Sequence, residues 1–139
     1  MKLSVKSDYA ARAVLSLARR HHLNAPTRLD EIASENGLPA SYLVQILIEL
    51  KSHQIVRSVR GKEGGYQLSR SPAEISLADV LRCMHGPLFE SPAMADPHCA
   101  PELRDGWRQL QAGVEAEAES INFQQLLDSG SDRGRMFYI

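Results

Sequence analysis

Residues 30–70 read DEIASENGLPASYLVQILIELKSHQIVRSVRGKEGGYQLSR, and this stretch decides the fold. It opens inside a short helix. Leu29, Ile32 and Ala33 share one side of it, and Gly37 suits the left-handed position that ends a helix. A second helix starts at about Pro39 to Ser41 and runs to about Ser52. Leu43, Ile46, Leu47 and Leu50 form an i, i+3, i+4, i+7 stripe that belongs in a core. Ser41, Val44, Gln45 and Ile48 repeat that spacing on a second stripe, the candidate exposed face. Two short helices joined by a glycine-containing turn make a helix-turn-helix. Ile55 to Arg60 is rich in β-branched residues and reads as a strand, with Tyr66 to Arg70 as its partner. The intervening Gly61-Lys62-Glu63-Gly64-Gly65 permits positive φ and lets the backbone approach another molecule closely. A helix-turn-helix followed by a basic hairpin is a winged helix. Arg57, Arg60, Lys62 and Arg70 make the wing basic, opposed only by Glu63.

Upstream, Tyr9, Ala10, Ala13, Val14 and Leu17 predict a helix over about Ser7 to His21. Thr27 and Asp30 have capping-box spacing for the helix that follows. Downstream, Ser76 and Asp79 repeat that spacing, Ile75 and Val80 form a hydrophobic staple, and a helix runs to about His85. Leu77, Val80, Leu81 and Met84 are its buried stripe, and Gly86-Pro87 stops it. Residues 87–101, with prolines at 87, 92, 97 and 101, read as a structureless loop. A long helix follows over about 101–119. Its Leu103, Trp107, Leu110, Val114 and Ala118 form a narrow seam that needs a partner helix, either its own head or a second copy. Residues 121–127 predict a short helix, and the polar, glycine-containing 128–135 a flexible stretch. The apolar ending Met136-Phe137-Tyr138-Ile139 has no role unless it docks somewhere. The expected organisation is therefore a winged helix-turn-helix head over 1–86, a proline-rich loop over 87–100, a long-helix region over 101–127 and a flexible tail over 128–139. The fold class is mainly α.

With 139 residues, 43% apolar and 24% charged, the chain has the composition of an ordinary soluble globular protein. Its apolar stretches are too short to cross a bilayer, and MKLSVKSDYAARAV lacks the apolar block of a secretory signal, so a cytoplasmic address is expected. Cys83 and Cys99 form no C-x-x-C pair, which excludes a zinc ribbon or a thioredoxin-type site. Charge is divided unevenly. Residues 1–70 carry eleven Lys/Arg against six Asp/Glu, and residues 71–139 carry five against eleven. A basic front half points to a polyanion. No phosphate-binding loop, nucleophile elbow or paired-histidine motif is present, so an enzyme is not expected.

MKLSVKSDYAARAVLSLA, the stretch from Asp30 to Arg70 and the EISLADVL helix together resemble the Rrf-two family of bacterial winged-helix regulators over residues 1 to about 127. The run R-G-x-x-G-G-Y, Arg60 to Tyr66, is the most specific part. The resemblance implies a homodimer, a DNA-reading head, a long dimerisation helix and control of promoters through a partly palindromic operator. Repression by blocking promoter access is the simplest mechanism. Ser41 can bond a phosphate or a base edge, Gln45 can bond adenine bidentately and Val44 can touch a thymine methyl. In an iron–sulfur-binding member the position of Val44 carries glutamate, so base preference does not transfer. Tyr42 suits either a phosphate contact or the core. Arg60, Gly61 and Lys62 at the wing tip suit the minor groove, and Arg28 and Arg57 suit phosphates. The competing class is a winged-helix protein-docking module, whose binding would lack a steep salt dependence.

Many members hold an iron–sulfur cluster through three cysteines in the loop before the long helix. This loop has one, Cys99, so no cofactor is expected. The alternative is a cluster with non-standard ligands drawn from Cys99, Cys83, His98 or His85, and Asp8, the last matching a carboxylate ligand in a nitric-oxide-sensing member. Cys83, beside an apolar stripe, also reads as a buried inert thiol. A sensor without metal is the other route. Cys99 beside His98 suits a reactive thiol, and a small molecule between head and dimer helix is a further option.

Overall fold

The computed structural model describes residues 2–138, and the side-chain surroundings of residues 2–133. Helix α1 spans Val5–Arg19. It starts two residues earlier than expected because the Ser4 hydroxyl accepts the Ser7 N–H at 3.0 Å and caps it. Its inner face is small: Ala10, Ala13, Val14, Leu17 and Ala18 are all buried. Helices α2 (Leu29–Asn36) and α3 (Ala40–Ser52) pack on that face. Gly37 joins them at φ +63°, as the sequence required. Leu43, Ile46, Leu47 and Leu50 are buried in the core.

Thr27 does not cap α2. Arg28 holds the cap position and makes no side-chain cap bond. Thr27 is instead committed to the wing. Its N–H donates to the Tyr66 carbonyl at 2.9 Å, the Tyr66 N–H donates back at 2.8 Å, and its side chain is buried. With Arg28 at the cap position, Thr27 lies one residue outside the helix, too early for its hydroxyl to serve as the cap.

Strands β1 (Val56–Val59) and β2 (Gly65–Leu68) pair antiparallel, from Val56 opposite Leu68 to Val59 opposite Gly65. The glycine pair at the wing has a structural cause. A Cβ on Gly64 would stand 2.2 Å from the Val59 carbonyl oxygen, and one on Gly65 2.3 Å from that of Thr27. Gly65 also sits at φ +154°. The close approach allowed by these two glycines is to the protein's own backbone, not to another molecule.

Helix α4 (Leu77–His85) carries the predicted capping box. The Ser76 N–H donates to Asp79 Oδ2 at 2.9 Å, and the Asp79 N–H donates to Ser76 Oγ at 3.1 Å. Its buried residues are Ala78, Val80, Cys83 and Met84, while Leu77 and Leu81 are only half-buried and face a groove shared with the next helix.

The 87–100 segment is not structureless. It contains a 3-10 turn at Pro92–Met94, and helix α5 (Pro101–Ser120) ties it down. Arg104 donates to the Asp96 and Cys99 carbonyls at 2.6 and 3.3 Å, and Gln111 donates to that of Phe89 at 3.1 Å. Carbonyls of an irregular segment need donors, and α5 supplies them. The end of α5 runs against α4, where Arg82 meets Glu119 at 2.5 Å. The chain then re-enters the head. The Leu77 N–H donates to the Ile121 carbonyl, the Phe123 N–H donates to that of Ile75, and Phe123 is 0% exposed. The head core therefore extends beyond residues 1–86.

Helix α6 spans Phe123–Tyr138, so the short helix expected over 121–127 is longer and residues 128–138 of the expected flexible tail are helical, residue 139 lying outside the described residues. Asn122 and Gln125 cap its start reciprocally, each side-chain oxygen accepting the other's N–H at 2.9 Å. With the first turn nucleated and Phe123 anchored, each further residue adds one hydrogen bond, and no proline interrupts. The apolar ending 136–139 lies outside the residues whose side chains are described. Among the described residues no helix is long and apolar enough to cross a membrane.

Gly65→Ala is expected to destabilise the protein by about 2–4 kcal/mol in chemical denaturation, because backbone strain and overpacking act together. Gly130→Ala, in an open position on α6, is expected to stabilise it by up to about 1 kcal/mol.

Candidate nucleic-acid interface

Helix α3 is held from below by its core stripe and from the side by α1. Lys6 pairs with Glu49 at 2.7 Å, and the Tyr9 and Tyr42 rings meet edge to face at 5.8 Å. Arg12 lies over the Tyr9 ring, pairs with Asp8 at 2.8 Å and donates to the Asn36 carbonyl at the end of α2. α3 is thereby fixed in position and angle. Ser41, Gln45 and Ile48 are exposed on its outer side, Ile48 at 53%. Val44 is half-buried, so it stands at the edge of the exposed stripe and not at its centre. Tyr42, at 39% exposure, is a surface aromatic braced by Tyr9 and not a core residue.

The wing projects Arg57, Arg60, Gly61 and Lys62 into solvent. Its tip turns through Gly61 at φ +110°, closed by the Gly64 N–H donating to the Gly61 carbonyl at 3.0 Å. Arg57 spans its own rung of the ladder and donates to Gln67 Oε1 at 3.2 Å. Arg70 turns away and donates to the Glu74 carbonyl. Arg28 is exposed at the start of α2. The pairing of these cations decides their reading. Lys6, Arg12, Arg20, Arg82 and Arg108 all have carboxylate partners. Among the described residues Arg28, Arg57, Arg60 and Lys62 have none. Exposed basic groups without a carboxylate partner are available to phosphate.

The long helix keeps part of its seam outside. Leu103 and Leu110 are 51% and 46% exposed. Trp107 and Val114 are half-buried, Trp107 against the Phe89 ring at 6.4 Å. Leu110, Gly113, Val114 and Ala118 line an apolar groove with Leu77 and Leu81. The end of α5 packs against α4 of its own head.

The structure disperses the residues singled out for sensing. The Cys83 thiol is buried and donates to the Glu49 carbonyl at 3.4 Å. Asp8 is engaged by Arg12, and His85 Nε2 lies 2.7 Å from the Ser4 hydroxyl. His98 and Cys99 sit in the tied-down segment, with both backbone N–H groups donating to Asp96. Among the described residues no three His, Cys, Asp or Glu converge on a point that could hold a metal. Within one protomer these side chains do not fit an iron–sulfur cluster. Burial pushes the Cys83 thiol up from 9.0 to about 11, with Glu49 adding to the effect and Lys6 opposing it.

Sequence reasoning missed three contributors. Thr27, whose spacing suggests a cap, is the wing's attachment point, and Tyr66, a strand residue at the end of the R-G-x-x-G-G-Y run, is its partner. Phe123 was not marked as core, although a lone aromatic two positions after Ile121 was a usable signal.

The chain matches the Rrf2 family, described as an iron-dependent transcriptional regulator, over residues 3–129. It is 32% identical to the HTH-type transcriptional regulator CymR of Bacillus subtilis over 141 aligned positions, covering 100% of both chains. The solved structure of the B. subtilis global cysteine regulator CymR superposes with a TM-score of 0.82 at 30% identity, covering 93% of this chain and 98% of that one. IscR of T. potens superposes with a TM-score of 0.77 at 29% identity, covering 94% and 88%.

One thiol is expected to react with a disulfide reagent in the native protein, and Cys99→Ser should abolish that reaction. Cys83 should react only on denaturation. Alkali gives a second test. An unfolded chain ionises Cys83 near 9.0 and the folded one near 11. The folded state therefore retains that proton while the unfolded state loses it, so stability falls as pH rises through this window. Cys83→Ala should flatten that fall between about pH 9 and 11 in urea titrations.

Proposed function

Since the chain belongs to the Rrf2 family of DNA-binding transcriptional regulators, which are not enzymes, we propose that it acts as a homodimer on a partly palindromic operator. It represses by occupying the promoter. The observation that carries this reading is the set of exposed cations without a carboxylate partner among the described residues, Arg28, Arg57, Arg60 and Lys62, together with the exposed polar positions Ser41 and Gln45 on α3. Ser41 and Gln45 read base edges in the major groove, and Val44 touches a thymine methyl from the edge of the stripe. The wing tip enters the adjacent minor groove, while Arg28, Arg57 and Tyr42 contact the backbone.

The exposed seam supports the dimer. Leu103 and Leu110 leave a continuous apolar edge along a helix roughly 30 Å long, and such an edge is covered best by its own copy about a two-fold axis. A two-fold dimer sets two copies of α3 one turn of DNA apart, about 34–36 Å.

The signal, whether redox, metal or small molecule, acts on the 87–100 segment. Arg104 supports this route because one guanidinium joins the carbonyls of Asp96 and Cys99 to the first turn of α5. A change at Cys99 would move the start of the dimer helix, shift the heads and spoil the half-site spacing.

Fluorescence anisotropy on the protein's own promoter, across a salt series, tests the reading. Lys62→Ala should weaken binding to all sequences and reduce the salt slope by about one. Gln45→Ala should cost about 1–3 kcal/mol on the operator alone, with the slope unchanged. A salt-insensitive wild type would refute the interface. In sedimentation, Leu110→Glu should turn a dimer into a monomer that no longer distinguishes the full operator from a half-site.

A further inference from the structure

We propose that a cavity at the base of the wing holds one ordered water bonded to the Thr27 hydroxyl, and that Thr27 is thereby a positioning residue for the wing. Thr27 is 1% exposed, and among the described residues its Oγ1 has no hydrogen-bond partner. Its own N–H and carbonyl are both taken by Tyr66. On the carbonyl side Gly65 approaches so closely that not even a methyl group would fit. A partner for the hydroxyl must therefore come from elsewhere, and buried hydroxyls almost always have one.

Thr27 lines a cavity of about 20 Å³ shared with Arg20, His21, Asn24, Arg57 and Gln67. That volume has room for a single water molecule, and the pocket opens to solvent past the exposed His21, Asn24 and Arg57, whose polar groups with Gln67 are the further partners such a water would take. A dry cavity would be apolar throughout; here Leu17, Ala25 and Leu68 form only part of the wall. The water would join three segments that are far apart in sequence. These are the connection between α1 and α2 at Asn24, the bridge at Thr27, and the Arg57–Gln67 rung of the wing. It would therefore set the angle at which β1 and β2 carry Arg60 and Lys62 away from the head.

The DNA part of this inference rests on the operator reading; the water site does not. A high-resolution crystal structure should show a water roughly 2.7–3.2 Å from Thr27 Oγ1 with at least one further protein partner. Thr27→Val keeps the shape and removes the hydroxyl. It should empty the site and lower Tm by roughly 2–6 °C. It should also raise the operator Kd by roughly threefold or more, with an unchanged salt slope, because no phosphate contact is lost. Thr27→Ser should keep the water and both properties. A dry cavity overturns the proposal. So does a Thr27→Val protein with Tm unchanged or raised, the result expected of removing a hydroxyl that bonds nothing. A fall in Tm with Kd unchanged overturns the positioning role, and Thr27→Ser as damaging as Thr27→Val assigns the effect to methyl packing. If the wild-type protein binds no operator, the operator reading fails, while the crystallographic and thermal results still decide the water site.

Discussion

The head depends on how closely other elements can approach α1. Its inner face presents Ala10, Ala13 and Ala18 around Val14 and Leu17, all buried. Small side chains let helix axes come near one another, and α2, α3, α4, α6 and strand β2 all contact this one helix. A large residue at any of these alanines would push several elements at once, since packed interiors absorb added volume poorly. The reading helix, the wing and the connection to α5 therefore share one reference body.

Two kinds of attachment then turn that body into a reading surface. α3 is fixed by side chains: the buried leucine and isoleucine stripe, the Lys6–Glu49 pair and the Tyr9–Tyr42 contact. The wing is fixed by backbone. The Thr27–Tyr66 bridge makes a minimal third strand, and two hydrogen bonds through a glycine contact hold the hairpin against the start of α2. At the wing tip Arg60 and Lys62 are exposed and have no carboxylate partner among the described residues, while Arg57 braces the ladder through Gln67.

The long helix has a different economy of contacts. Its last turns are held by Arg82–Glu119 and by the return of the chain through Ile121 and Phe123. The carboxylate of Glu119 accepts a hydrogen bond from Arg82 and stabilises its charged form. Its first turns instead hold the 87–100 segment through Arg104 and Gln111. One helix therefore connects the segment carrying Cys99 to α4, and α4 bears the thiol that donates to α3. Those contacts form a continuous physical route between the proposed signal and the reading helix.

Period and punctuation made most of the elements legible in the residues themselves. The apolar stripe of α3, Gly37, the Ser76/Asp79 box and the β-branched run before Gly61 are local features, and local geometry follows from them. The exposed side of α3 and the basic wing were legible for the same reason. What only the tertiary structure decided were the matters that depend on distant partners. Thr27 has the chemistry of a helix cap, but Tyr66, thirty-nine positions away, claims its backbone. Gly64 and Gly65 announce a close approach without saying to what. Residues 128–135 are polar enough to read as a flexible stretch, yet α6 continues through them once Asn122, Gln125 and Phe123 secure its start. Spacing along a chain specifies which side chains share a face; which of two satisfactory partners a group takes is settled only when the whole core closes around it.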